Sequence, residues 1–254
     1  MRLVNALLIA FSTYSRIPVP QAEWNEENKR YSMCFFPLIG LCIGAVMALW
    51  LYLCDRLALG AVLRGTVGAA LPLLITGGIH MDGFMDTTDA MASWKSPEER
   101  LAILKDSHVG AFAVMACGMY LLVMAGVLSE ARWTDAAAIG ACFVLSRALS
   151  ALAMTWLRSA KKTGMLAGFA QNLQKQAVTG SCAAYTGVCT VILIVVSGWA
   201  GGLAAASAGL VLLAYRHKAY QYFGGVTGDL AGWFLQMAEL AAIACVVIGR
   251  SVLG

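Results

Sequence analysis

The strongest constraint on this chain is a succession of long apolar runs, at roughly 35–54, 61–79, 110–129, 136–157, 178–198, 199–215 and 233–252. A helix needs about 20 apolar residues to cross the hydrocarbon core of a bilayer, and only the sixth run falls clearly short. Composition agrees: 60% of residues are hydrophobic and 13% charged, against about 25% charged in soluble domains. The expectation is an all-α, multi-pass transmembrane helix bundle of about seven spans, forming one integral-membrane domain over 1–254. Pro72 is expected to kink the second run, and Gly201-Gly202 to join the fifth and sixth as a tight hairpin. Small residues such as Gly44, Gly68, Gly118 and Ala151 allow close helix approach.

Residues 1–20 open with a basic residue and a short apolar run, MRLVNALLIAFS. No small-x-small cleavage site follows, so an interfacial or re-entrant helix is expected rather than a cleaved signal. Residues 21–32 read as an exposed polar loop. With the N-terminus placed in the cytoplasm, thirteen Lys and Arg fall on inner segments and four (Arg56, Arg64, Arg132, Arg250) on outer ones. That bias supports an N-in, C-out arrangement in the cell (inner) membrane. It also gathers 80–108, 158–177 and 216–230 on the cytoplasmic face. Eight cysteines without paired spacing read as small buried hydrophobes. No nucleic-acid partner is expected.

One polar stretch stands out, Gly77 to Ser93, GGIHMDGFMDTTDAMAS. Asp82, Asp86 and Asp89 are spaced i, i+4, i+7, so a helix carries them within about 60° of arc. Like charges so close need a cation among them, and oxygen donors at one- and two-turn spacing suit Mg²⁺. Asp229 is placed to complete the shell. His80 is expected to orient a ligand or contact phosphate.

Arg147 and Glu239 lie deep in apolar runs, each about 15 Å from an inner end on a straight helix. Intramembrane charges of this kind are functional candidates whose partner must be named. Arg147 is expected to face Glu239 or the aspartates. Lys105, Asp106 and Ser107 precede the third run, where the latter two read either as helix caps or as a second polar contribution to the site. The turn Phe223 to Gly232 carries Gly225, Thr227 and Gly228, whose backbone N–H groups can cradle phosphate. Lys161, Lys162 and Lys175 read as contacts to anionic lipid.

The stretch GGIHMDGFMDTTDA resembles the signature of the cobalamin synthase family, the adenosylcobinamide-GDP ribazoletransferases. Further matches run along the chain: Ser15 to Val19, Phe36 to Gly40, Lys105 to Ser107, Ser146-Arg147, and Gly224 to Asp229 followed by Glu239. Ala90 and His108 depart from the glycine and arginine usual in the family, which puts a phosphate-binding role at position 108 in doubt. The resemblance implies a membrane enzyme that joins α-ribazole, or its 5′-phosphate, to adenosylcobinamide-GDP and releases GMP with Mg²⁺. For that reaction Asp82, Asp86 and Asp89 are expected to hold one or two Mg²⁺ ions with Asp229 completing the shell, and one carboxylate, Asp89 by preference, to accept the hydroxyl proton. His80, Lys105, Asp106, Ser107, Arg147, Gly225, Thr227, Gly228 and Glu239 are the expected substrate contacts.

Two other readings fit the residues: a CDP-alcohol phosphotransferase, and a cation-coupled transporter with aspartates on its ion path. The bunching of acids on one face and the lack of repeat symmetry count against the transporter. Homo-oligomerisation or a complex with other cobalamin-assembly enzymes is left open.

Overall fold

The computed structural model describes residues 2–160 and 173–253. Among the described residues the chain is helical, and a single isolated bridge pairs Ser159 with Val226. The helices are α1 (Arg2–Tyr14), α2 (Glu26–Lys29), α3 (Ser32–Arg56), α4 (Ala61–Thr76), α5 (Ile79–Ala92), α6 (Pro97–Ile103), α7 (Ala111–Ser129), α8 (Ala136–Trp156), α9 (Lys175–Phe223) and α10 (Gly228–Leu253). Among the described residues, five segments are long and apolar enough to cross a membrane: Ser32–Arg56, Ala111–Ser129, Trp133–Trp156, Lys175–Phe223 and Gly228–Arg250. The bent pair α4–α5 makes a sixth if counted as one span.

Two breaks fall elsewhere than the sequence suggested. The chain changes direction by 98° between α4 and α5, at Gly77 and Gly78 (φ +66° and +78°) rather than at Pro72. Two successive left-handed residues are cheap only for glycine. The second break lies within α9 at Gly198 (φ 57°, ψ −134°), not at Gly201-Gly202. A Cβ on Gly201 would overlap the Leu193 carbonyl eight residues back, a point about 12 Å away along a straight helix. The 49-residue helix therefore folds back on itself. Gly201 supplies the close contact beside the turn, and Gly198 makes it. The fifth and sixth apolar runs are its two arms.

The centre of the bundle is α3 against α8, with α9 and α10 packed on α8. Gly40 lies against the Phe143 carbonyl, and a Cβ on Gly44 would come 2.7 Å from the Gly140 Cα. Glycines one turn apart let these backbones touch, the usual device where lipid provides no hydrophobic drive between helices. Gly40→Val should wedge α3 from α8 and cost about 1–3 kcal/mol or more. A lowered thermal midpoint in detergent would show it. Gly118, on a face with nothing within 4 Å of a Cβ, is the control and should tolerate alanine.

The bundle has two polar ends. At one, Arg64 pairs with Asp55 at 2.8 Å and Arg250 pairs with Asp135. At the other lie the chain entering α3, the α4–α5 break, the 93–110 connection, the start of α9 and the α9–α10 turn. Arg16 N donates to the Ile75 carbonyl, Gln174 N to the Arg30 carbonyl, and Val226 N to the Arg158 carbonyl. The described parts of the stretches predicted to share a face (80–108, 158–160, 173–177 and 216–230) lie at this end. α1 lies on α3 with Ala6, Ile9 and Ala10 buried, and at 13 residues it is too short to span. All eight cysteines are unpaired, four of them buried.

Candidate active site

The acidic stretch forms α5, as its spacing predicts, and α10 crosses it backbone to backbone. A Cβ on Gly83 would sit 2.7 Å from the Asp229 carbonyl oxygen and 2.9 Å from its Cα. A Cβ on Gly232 would sit 2.7 Å from the His80 carbonyl and 3.2 Å from the Gly83 Cα. Only glycine permits this approach. It sets the first turn of α10, which carries Asp229, on the turn of α5 that carries Asp82 and Gly83. Asp82 is exposed, while Asp86 and Asp229 are half-buried and each makes a further interaction. Asp82 and Asp86 on α5 and Asp229 on α10 thus belong to the two helices that meet at this crossing.

Asp89 is engaged differently. Its Oδ2 accepts from Gly110 N at 2.6 Å and its Oδ1 from Ala113 N at 2.9 Å. These are orphan donors at the start of α7, whose own Gly110 has no side chain to cap with. Asp106 and Ser107 do not cap α7. Asp106 instead folds a turn, accepting from His108 N at 3.0 Å and meeting the His108 ring Nδ1 at 2.7 Å. The backbone donor, then the ring, holds the Asp106 carboxyl below the usual range. Lys105 through His108 are exposed at the polar end.

The glycine-rich turn is largely committed to structure. Gly224, at φ +71°, ends α9. A Cβ on Gly225 would meet the Arg158 carbonyl at 2.5 Å and Ala160 N at 2.7 Å, where residues 158–160 pair with Val226. Thr227 is buried, and its hydroxyl caps α10 by accepting from Leu230 N at 3.2 Å. Gly228 alone of the three expected contacts is exposed.

Behind α5 lies a buried polar cluster. Arg147 Nη1 donates to Glu239 Oε1 at 2.6 Å and to the Phe143 carbonyl at 2.9 Å, and Ser146 Oγ donates to the same Glu239 oxygen at 2.9 Å. Both charged side chains are about 1–2% exposed. Glu239, rather than the aspartates, is the partner of Arg147. The His80 ring sits inside the bundle too, 6.2 Å from the Tyr14 ring and 5.8 Å from the Phe36 ring, with Nε2 unpaired. His80, Arg147 and Glu239 lie behind the acidic face, not on it.

Basic residues missed in the sequence ring the polar end. Arg16 lies over Gly77, so a Cβ there would overlap its side chain. Arg100 donates to the Ser93 carbonyl at 3.0 Å and stacks on Tyr222 at 4.8 Å. Lys218 lies 5.7 Å from both the Tyr222 and Trp233 rings. Arg158 donates to the Gly224 carbonyl at 3.1 Å. Neighbouring Tyr and Trp in register with these cations were the signal that might have found them. Lys161 and Lys162 lie outside the described residues.

Among the described residues, no three His, Cys, Asp or Glu side chains close around a point as a complete metal cage would. The set at the crossing fits a cation that takes one or two carboxylates and fills its shell with water and phosphate, as Mg²⁺ does.

Comparison with known proteins identifies the family. The family model described as cobalamin-5-phosphate synthase matches residues 6–247. An adenosylcobinamide-GDP ribazoletransferase of Lachnoclostridium phytofermentans is 44% identical, covering 100% of this chain and 97% of its own. Proteins of the same name from Desulfitobacterium hafniense and Brevibacillus brevis are 33% and 32% identical, over 94% and 97% of this chain and 95% and 98% of their own. No solved structure matches. The chain, matched along nearly its whole length, belongs to the cobalamin-5-phosphate synthase family.

Proposed function

We propose that the protein joins α-ribazole, or α-ribazole 5′-phosphate, to adenosylcobinamide-GDP at the α5–α10 crossing. The observation that carries this reading is the glycine-lined contact that lays the Asp229 backbone on Gly83 of the helix bearing Asp82 and Asp86, in a chain whose full-length relatives bear that enzyme's name. The ribazole hydroxyl oxygen attacks the cobinamide-side phosphorus of the diphosphate. A new P–O bond forms, the bridging P–O bond breaks, and GMP leaves with the bridging oxygen.

Such a displacement asks the protein for in-line positioning and charge neutralisation more than covalent chemistry. Asp82 and Asp86, with Asp229 beside them, would hold Mg²⁺, which when bound supplies neutralisation of the diphosphate and of the departing phosphate. The hydroxyl proton leaves to water at this face, where Asp82 is exposed. Lys105, Asp106, Ser107 and Gly228 are the substrate contacts from the sequence that remain exposed to solution. Arg16, Arg100, Arg158 and Lys218 add positive charge around the mouth and draw a polyanionic substrate toward it.

The arrangement in the membrane follows from the same frame. The two arms of α9 count as separate spans and α4–α5 as one, so the chain crosses seven times with the N-terminus and the acidic end in the cytoplasm. The thirteen-to-four distribution of basic residues supports this orientation. The test is direct: purified protein with Mg²⁺, adenosylcobinamide-GDP and α-ribazole should yield a cobamide and one GMP per turnover by chromatography. Absence of GMP, or CMP release from a CDP-alcohol instead, would overturn the assignment.

A further inference from the structure

We infer that Asp89 is a positioning residue, not a metal ligand or a base: it caps α7 and so sets the Lys105–Ser107 loop against the acidic face of α5. This inference rests on the site proposed above. Both Asp89 oxygens point at main-chain donors of another helix, Gly110 N at 2.6 Å and Ala113 N at 2.9 Å. The contact bridges 21 and 24 residues of sequence. The α7 N-terminus otherwise lacks a side-chain cap, and a carboxylate there satisfies orphan donors and meets the positive end of the helix dipole.

Gly110 is shaped for this tie. Its φ of −85° and ψ of 164° suit any residue, so its backbone does not require glycine. Its space does: a Cβ would overlap the Asp89 carboxylate, and all three nearest atoms it would meet belong to that group. The loop that Asp89 anchors runs straight back to exposed Ser107, Asp106 and Lys105. Asp89 therefore acts on substrate through that loop.

Two substitutions separate this role from catalysis. Asp89→Asn keeps one acceptor and cannot serve as a base. Gly110→Ala leaves the carboxylate intact and displaces it from the amides. In hydrogen exchange of the full chain in detergent, both should deprotect the Gly110–Ala113 amides, and Asp82→Asn should not. In the transfer assay both should raise KM for adenosylcobinamide-GDP roughly tenfold to a hundredfold, with a smaller change in kcat. The Mg²⁺ requirement and the pH–rate profile should stay as in the unmodified protein. Each should be non-additive with Lys105→Ala, since all act through one loop.

Unchanged protection in Asp89→Asn overturns the tie. Loss of a limb of the pH profile, or a raised Mg²⁺ requirement, makes Asp89 a base or ligand and overturns the assignment. Full additivity with Lys105→Ala reduces the contact to general stability and overturns the positioning role. A wild-type protein inactive on these substrates refutes the proposed function alone, and the exchange measurement still decides the tie.

Discussion

Asp82→Asn and Asp86→Asn should each lower kcat by about a hundredfold to a thousandfold or more while the protein still inserts and folds. Removing one fixed electrostatic group from a site that neutralises developing charge typically has that effect. Asp82 is exposed and lies on the α5 face away from the bundle interior, so amide replacement leaves the packing of α5 on α10 untouched. That packing is made by Gly83 and Gly232. Asp82→Asn should therefore match the unmodified protein in detergent-solubilised yield and thermal midpoint and differ in GMP release, whereas Asp86, half-buried with a further interaction of its own, is read by GMP release from the folded fraction. If either kept normal turnover, the carboxylates at the crossing would not be the site.

The second large effect is on stability. Arg147→Met should cost about 3–5 kcal/mol, because it strands the Glu239 carboxylate inside the bundle. Glu239 has its ion pair and its Ser146 hydrogen bond on one oxygen, and 2% exposure leaves water no route to replace the arginine. Glu239→Met should be as damaging, since it abandons a guanidinium beside Phe36 and Phe143. The double variant, Arg147→Met with Glu239→Met, should recover most of the loss, as apolar replacements of a whole buried pair often do. Thermal unfolding in detergent and the yield of folded protein would measure this. Full stability without activity in the double variant would show that the pair also shapes the site from behind α5. A double variant as unstable as either single one would show that the pair itself holds α8 to α10.

Much of this molecule is legible without coordinates. The apolar runs are the helices, because a backbone in lipid has few other ways to satisfy its hydrogen bonds. The acids at 82, 86 and 89 share a helix, because 3.6-residue periodicity is local. Arg147 could be given an acidic partner in advance, Glu239 or the aspartates, because a lone charge at that depth is too costly to leave alone; the structure chose Glu239. What escaped is what depends on how two helices meet. Nothing local distinguishes Gly83, Gly110 and Gly232 from other glycines. Their meaning comes from Asp229, Asp89 and His80 arriving from elsewhere in the chain.

The sequence by itself determined a membrane-embedded, all-helical enzyme of the cobalamin synthase type, with its acids on one helix and its polar segments at one end. Tertiary structure alone decided what each group meets. It laid the Asp229 backbone on Gly83 of the acid-bearing helix, turned Asp89 to the start of α7, and put His80 inside the bundle. The physical reason is range. Helical period and burial of apolar runs are fixed by neighbours in sequence, whereas a carboxylate's partner is fixed by which backbone donors another helix delivers to it.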